Sequence, residues 1–378
     1  MTISTTRTLS QLTPASLLLL ALPALTIGCQ ANAAASQPTT PPDYTVTVGA
    51  AGFARQDKPV MVQLDRAPAE GKFVRVTEAG EPVLAQFDPA DAGEGGLLTF
   101  IMPGETPADA TRTFDVAFAS TPAPDVEPIM GVDTLDEYQG QESFRVSTPD
   151  QTWIYHKKGA GFASLLDRDG NDWISYKPGN GPAGEYRGIP NCGKFHPGYD
   201  EGTSRVVHDG PVRVRIASET KSGWAGYWDI YPHYATFTIT ENPEPYWVLY
   251  EGTPGGEMDY ETDQVVRAPG IETTAREAWR EPLPHPAWAY FTDGPTGRML
   301  FAVQHTADNE DDQYWGMQEE MTVFGFGRGE KLARLMERTP QKFTFGLSEN
   351  SDLEAAKQTI NAAFRNLDIT VTPAGEEK

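Results

Sequence analysis

The sequence predicts a mainly β protein: a small N-terminal β-sandwich followed by a large antiparallel β-sandwich with a C-terminal helix. Three observations carry this expectation. Short runs rich in Val, Ile, Thr, Phe, Tyr and Trp alternate apolar with polar residues along most of the chain, with Gly, Pro, Asn and Asp between them. Only near the C-terminus does the apolar spacing lengthen to that of a helix. No segment recurs at a fixed period, which points away from a repeat architecture.

Taken in order, residues 1–28 read as a signal peptide. MTISTTR carries one positive charge, and the apolar run Ser16–Gly28 is too short to span a membrane comfortably. Two processing sites compete. LTIGC resembles a bacterial lipobox ending at Cys29, with Thr26 where Leu is usual, and Ala31-Asn32-Ala33 is an A-x-A site. Lipidation at Cys29 implies an outer-membrane lipoprotein held by its lipid anchor alone. The other cleavage implies a periplasmic or extracellular protein.

Residues 29–42 form a polar, Ala- and Pro-rich tether. YTVTVGA, PVMVQL, KFVRVTE, PVLAQF, LLTFIM and RTFDVAFA are the strands of an N-terminal β-domain, residues 43–120. A Pro-rich linker, 121–142, leads to the large sandwich, 143–372. Its strands include ESFRVST, TWIYHK, FASLLD, DWISYK, VRVRIASET, YATFTIT, YWVLYEG, AWAYFTD, RMLFAVQH, MTVFGFG and KFTFGLS. A short helix is expected over Glu330–Arg338. A longer one is expected in SDLEAAKQTINAAFRNL, where Ser351 and Glu354 form a capping box and Leu353, Ala356, Ile360, Ala363, Phe364 and Leu367 form one stripe.

The formal charge is −23, and removing residues 1–28 with Arg7 makes the remainder more negative still. Nucleic acid is excluded as a partner class, since phosphate binding needs a basic field. The cysteines are Cys29 and Cys192. Processing blocks or removes the first, so the exported protein folds without an intrachain disulfide and relies on its core.

GAGFASLLDRDGNDWISY (Gly159–Tyr176), a strand, an acidic Gly turn and a returning strand, resembles the opening hairpin of galactose-mutarotase-like domains. TVTVGAAGFARQDKPVMVQL, GEPVLAQF and TPADATRTFDV resemble the N-terminal β-domain of PmoA-like secreted proteins. With GEYRGIPN, YEGTPGG and MTVFGFGR, the chain is similar to a family of exported bacterial proteins for which the resemblance implies a galactose-mutarotase-like supersandwich but no particular reaction. Mutarotase-type catalysis pairs a His acid with a carboxylate base on facing strands, and the resemblance implies His305 and Glu251 for those roles.

The segment GEYRGIPNCGKFHPGY, residues 184–199, has neither helical nor strand periodicity and reads as an ordered loop crowded with hydrogen-bonding side chains. Two readings stay open. Arg187 and Asn191 hold a sugar or uronate, with Tyr186 or His196 moving a proton and Tyr199 beside them. Alternatively the loop caps the sandwich through its own hydrogen bonds. His156 and Lys158 follow strand alternation and are expected on one side. Trp224 and Trp228 belong to an aromatic run, WAGYWDIYPHY, that is either a sugar-stacking strip or core.

No metal site is assigned. DRDGND lacks the Gly and the Glu of a calcium loop and reads as a hairpin turn, while DNEDD (Asp308–Asp312) could gather calcium but reads as a solvated acidic loop. No zinc pattern, phosphate-binding Gly loop or G-x-S-x-G elbow is present, and no cofactor is expected. The function these residues suggest is a cell-envelope, carbohydrate-active protein: a candidate polysaccharide lyase or glycoside-cleaving enzyme. The alternative is a non-catalytic glycan-binding lipoprotein.

Overall fold

Strand alternation makes one buried and one wet face, and the first strand shows it. In β1 (Tyr44–Gly49), Tyr44, Val46 and Val48 are buried while the residues between them are half-exposed. The computed structural model describes residues 41–90, 93–122, 128–179 and 186–375. The expected signal peptide, Cys29, most of the tether, part of the linker and the start of the 184–199 segment lie outside these.

After β1 come β2 (Arg55–Leu64), β3 (Phe73–Glu78), β4 (Glu81–Val83), β5 (Ala85–Pro89), β6 (Gly96–Thr106) and β7 (Thr111–Ala119). They fold into two antiparallel sheets around a small core that includes Val46, Val62, Leu98, Phe100 and Phe114. Within the expected linker, β8 (Gly131–Tyr138) is already a strand; it pairs with β9 (Gln141–Ser147), followed by β10 (Thr152–His156) and β11 (Gly161–Leu166). Next are β12 (Gly202–Asp209), β13 (Val214–Thr220), β14 (Ala225–Ile230), β15 (Tyr234–Glu241) and β16 (Val248–Gly252). The chain continues through β17 (Gln264–Arg267), β18 (Ile271–Thr274), β19 (Trp279–Glu281), β20 (Trp288–Asp293), β21 (Arg298–Gln304), β22 (Asp312–Met317), β23 (Met321–Phe326) and β24 (Gln341–Ser348). It ends with α1 (Leu353–Phe364) and β25 (Asp368–Pro373).

The large sandwich faces a nine-stranded sheet, ordered β12-β13-β14-β15-β24-β21-β20-β17-β18, against two four-stranded sheets, β11-β10-β9-β8 and β16-β23-β22-β19. Its core is aromatic. Phe162 meets Trp228 with ring centroids 4.6 Å apart, and Tyr250 meets Phe291 at 5.0 Å. The two four-stranded sheets are stitched by residues 188–190. Phe162 N–H donates to Ile189 O (2.7 Å), Gly188 N–H to Glu251 O (2.7 Å), Glu251 N–H to Gly188 O (3.1 Å) and Leu249 N–H to Pro190 O (2.6 Å). The loop expected at 184–199 therefore contains the central rung of the second layer. Its Gly and Pro content hid the pairing, because strand periodicity cannot show in three residues.

Four further expectations change. DWISYK, expected as a strand, forms only an isolated bridge, Leu166↔Asp172, before the chain turns away. Residues 368–372, placed with the large sandwich by sequence and not expected as a strand, belong to β25, which pairs with β1 of the small sandwich from Tyr44↔Pro373 to Gly49↔Asp368. The helix expected over Glu330–Arg338 is a single 3-10 turn, Glu330–Leu332. Pairing overrides helix propensity there: Met336 and Tyr246 exchange backbone bonds of 2.8 and 3.0 Å, and Leu335 N–H donates to Gly327 O. In α1 the N-cap is Asp352 rather than Ser351; its carboxylate accepts from the N–H groups of Glu354 and Ala355. The buried stripe of α1, including Ala356, Ile360, Ala363 and Phe364, packs on Trp288, Tyr290, Phe301 and Val303 of the nine-stranded sheet.

Buried cations join the small sandwich to the rest. Arg55 Nη1 donates to Ala362 O (2.9 Å) and Arg365 O (3.0 Å) and Nη2 to Asn366 O (2.9 Å), closing the C-terminal end of α1. Arg213 is fully buried between Asp88 of β5 and Asp229 of β14.

The segment 194–199 lies directly on the second layer because glycines let it. A Cβ on Gly188 would sit 2.5 Å from Pro197 Cδ, and one on Gly161 2.7 Å from the same atom. A proline ring cannot rotate away. Gly188→Ala should therefore lower stability by ~1–3 kcal/mol in a thermal or denaturant melt; an unchanged melt would show that the segment is not pressed on the sheet.

Candidate functional site

Along β16, Val248 and Tyr250 enter the core between the layers, so alternation turns Leu249 and Glu251 to the outer face of the second layer. Alternation does the same for His156 on β10, where Trp153 and Tyr155 point inward. The 191–199 segment covers both residues. His196 N–H donates to Gly159 O (2.7 Å), and Gly198 N–H donates to His156 Nδ1 (3.2 Å).

Three of the residues singled out by sequence converge here. Asn191 Nδ2 donates to Glu251 Oε2 (2.5 Å), and His196 Nε2 lies 3.8 Å from the same oxygen. Both Glu251 and His196 are buried. Burial pushes the Glu251 carboxyl up to about 8, with Asn191 and the nearby Arg328 pulling weakly the other way. Burial likewise pulls the His196 imidazole down to about 4. At neutral pH the pair is thus a protonated acid facing a neutral base.

A second histidine extends the cluster. The Tyr176 ring stands edge-on to His156 (5.3 Å) and to His196 (6.4 Å). Burial pulls His156 down to about 4. Its Nδ1 accepts from Gly198, so the neutral ring carries its proton on Nε2.

Arg328 was missed by the sequence reading. It follows β23, lies over the rings of Trp315 (4.0 Å) and Trp247 (4.7 Å), and is 5 % exposed. Burial draws its guanidinium down to about 10 while Glu251 favours its charge. Its Nε and Nη1 have no hydrogen-bond partner among the described residues. Nothing in MTVFGFGR marks it, because only cross-strand register brings it beside Glu251.

Other expected site residues sit elsewhere. His305 does not meet Glu251: it packs on Phe364 of α1 (5.5 Å) and its Nε2 bonds Thr344 Oγ1 (2.8 Å), and burial pulls it down to about 3. It lies on the helix side of the nine-stranded sheet, whereas Glu251 lies on the outer face of the other layer. Trp224 and Trp228 are core, 1 % and 0 % exposed, wedged against Tyr246 and between Phe162, Phe237 and Phe345. Neither ring offers a face to a sugar.

His156 and Lys158 part company because β10 ends at His156; Lys158 is exposed and pairs with Asp200 (2.9 Å). Arg187 donates to Ser175 O (3.2 Å) and reaches Glu320 O (3.4 Å), and its buried Nε is without a partner among the described residues. Tyr186 and Tyr199 are the open rings of this region, 47 % and 42 % exposed, with Tyr199 5.2 Å from the His196 ring.

The DNEDD carboxylates disperse. Asp308 takes Gln304 Nε2, Asp311 faces Arg280, and Asp312 turns inward to the N–H groups of Leu283 and Gly327. No group of three or more His, Cys, Asp or Glu converges as a metal site among the described residues. Cys192 is buried and unpaired, and burial pushes its thiol up.

No family model and no curated protein matches the chain. Among solved structures it is similar to HI1317, at 12 % identity and a TM-score of 0.40 over 60 % of this chain and 98 % of that one. It is also similar to YeaD of Salmonella typhimurium, described as a candidate mutarotase, at 9 % identity and a TM-score of 0.39 over 60 % and 96 %.

The raised carboxyl has a consequence for stability. The unfolded chain releases the Glu251 proton near pH 4.5 while the folded chain holds it to about 8, so stability drains across that window as pH rises. Glu251→Gln keeps the bond from Asn191 and removes the titration. The variant should gain ~1–3 kcal/mol on the wild type between pH 5 and 8.5. Parallel melts at the two pH values measure it, and a constant difference would mean that Glu251 is ionised in the fold.

Proposed function

We propose that this chain is a carbohydrate-active protein of the cell envelope, and that Glu251 and His196 are its working acid and base in the elimination of a uronate-containing polysaccharide. The observation that carries the reading is the pair itself: a carboxyl and an imidazole 3.8 Å apart, shifted in opposite directions by burial, beside the open rings of Tyr186 and Tyr199. Open tyrosine rings suit the C–H faces of sugars.

Elimination is favoured over hydrolysis by the company Glu251 keeps. Glycoside hydrolysis commonly needs two carboxyls, and the groups that bear on Glu251 are Asn191, His196 and Arg328. In elimination, a base takes the proton from the carbon beside the uronate carboxylate. The electron pair forms a C=C bond, and the glycosidic oxygen one carbon further on leaves with a proton from an acid. Neutral His196 suits the first task and protonated Glu251 the second. The N–H groups of Arg328 and Arg187 that have no partner among the described residues suit the carboxylate, whose neutralisation acidifies the neighbouring proton.

One observation favours a second reading. Glu251 and His196 are 4 % and 2 % exposed, so the surface open to a glycan is that of Tyr186 and Tyr199. A binding protein without turnover would use those rings alone.

Incubation with a panel of uronate polysaccharides, followed by the absorbance of unsaturated products, separates the two. Elimination predicts a bell-shaped pH profile. The acidic limb lies near 4, below which His196 is protonated, and the basic limb near 8, above which Glu251 is not. Glu251→Gln should lower turnover roughly a hundredfold or more while remaining folded at pH 6. Absence of product from every polymer, with binding lost in Tyr186→Ala and Tyr199→Ala, would establish the second reading instead.

The envelope location rests on the sequence of residues 1–33. Cys29→Ser should move the protein from the membrane fraction to the soluble envelope fraction. Unchanged fractionation would favour cleavage after Ala33.

A further inference from the structure

A cavity of about 320 Å³ opens where four parts of the fold meet: β2 of the small sandwich, α1, the nine-stranded sheet, and the turn between β9 and β10. Its walls include Phe301, Leu347, Ala362 and Ala363, and Lys58 lines it. This volume is within the range that holds small molecules. The cavity is distinct from the Glu251–His196 pair, neither of which lines it.

Lys58 is an unusual cation. It is 8 % exposed, and its Nζ donates to two neutral acceptors, Tyr234 Oη (3.0 Å) and Ala363 O (2.7 Å). The acids on the cavity wall are engaged elsewhere: Asp150 and Glu349 both pair with Arg168, at 2.9 and 3.3 Å. Gln151 lines the same space with its Oε1 buried and unpartnered among the described residues. A lysine kept for an ion pair would sit on a carboxylate. This one sits in a mainly apolar recess, and among the described residues one position of its nitrogen has no partner.

We propose that this cavity is a second small-molecule site, which takes a compact apolar aldehyde and holds it as an imine on Lys58 Nζ. The Nζ lone pair forms the bond to the carbonyl carbon, and the carbonyl oxygen takes up a proton. The nitrogen then gives up its two protons in turn, one replacing the proton taken up by the oxygen and one passing to the hydroxyl, which leaves as water, so amine and aldehyde become imine and water with no oxidant or reductant. Tyr234 Oη accepts a hydrogen bond from Nζ; burial raises its phenol, so it keeps its proton and can hydrogen-bond the carbonyl oxygen.

The amine is also available near neutrality. Burial, and to a lesser extent Arg55 on the same strand, pull the Lys58 ammonium down to about 7. The other charged or titratable groups around it are Tyr234 from β15, His305 with Lys342 behind it, and Asp150, His233 and Glu349 on the walls. An exposed lysine keeps its proton up to roughly pH 10.

Benzaldehyde with cyanoborohydride reduces any imine to a stable benzylamine, which peptide mass mapping locates on the full-length protein. At pH 7, Lys58 should be labelled at least about tenfold faster than any exposed lysine, because its neutral fraction is far larger. Its labelling rate should rise through a midpoint near 7. Thr359→Trp, a larger side chain at a position that lines the cavity, should suppress labelling at Lys58 and leave other lysines unchanged. Labelling of Lys58 no faster than that of exposed lysines overturns the proposal, and that ranking is read on the wild type whether or not the variant folds. Undiminished labelling in a folded Thr359→Trp protein also overturns it.

Discussion

The second layer of the large sandwich depends on three residues. Without residues 188–190, the edges of β11 and β16 would face each other with unpaired N–H and C=O groups, and the layer would fall into two separate four-stranded sheets. The backbone bonds of that short rung make one continuous surface. The same rung carries the candidate site. Gly188 bonds the backbone of Glu251, Asn191 follows immediately and bonds its carboxyl, and the next turn presses Pro197 into the space left by Gly161 and Gly188. His196 is thereby delivered to Glu251. Scaffold and binding loop were alternatives for this segment; residues 188–190 tie the sheets together, while Asn191 and His196 reach Glu251 of β16.

Burial is what gives that pair its chemistry. In water Glu251 would be a carboxylate and His196 would titrate near neutrality. Removed from water, each favours its neutral form, so acid and base coexist at a pH where neither is charged. Arg328 does not reverse this, since it is itself buried and held over Trp315 and Trp247. A buried cluster that combines a protonated carboxyl, a neutral imidazole and guanidinium N–H groups without partners among the described residues is costly to assemble.

A second group of buried charges holds the small sandwich to the large one. Arg213 is enclosed by Asp88 from one and Asp229 from the other, while Arg55 closes the end of α1 from β2. Pairs of this kind contribute little net stability over apolar packing, yet removing one partner strands the others, so they favour one docking geometry over its neighbours. β25 adds a backbone tie by pairing with β1. The cavity around Lys58 lies where β2, α1, the nine-stranded sheet and the β9–β10 turn meet without filling the space between them.

The strands were legible in the sequence because alternation depends only on neighbours along the chain: β1, β7, β20 and β21 lie where their Val, Phe and Tyr spacing placed them. So was α1, whose apolar stripe survives a one-residue shift of its cap from Ser351 to Asp352. Asn191, His196 and Glu251 were chosen as residue types suited to the chemistry. Their grouping was not, and Glu251 was assigned to His305 instead. Tertiary structure decided the partner, because proximity between distant strands is set by sheet order and register, which no local period records. It also decided that Trp224 and Trp228 are core, since aromatic strands look alike from sequence whichever side they face. And it decided that Arg328 and Lys58 are unusual, because what perturbs them is burial by parts of the chain far from them in sequence.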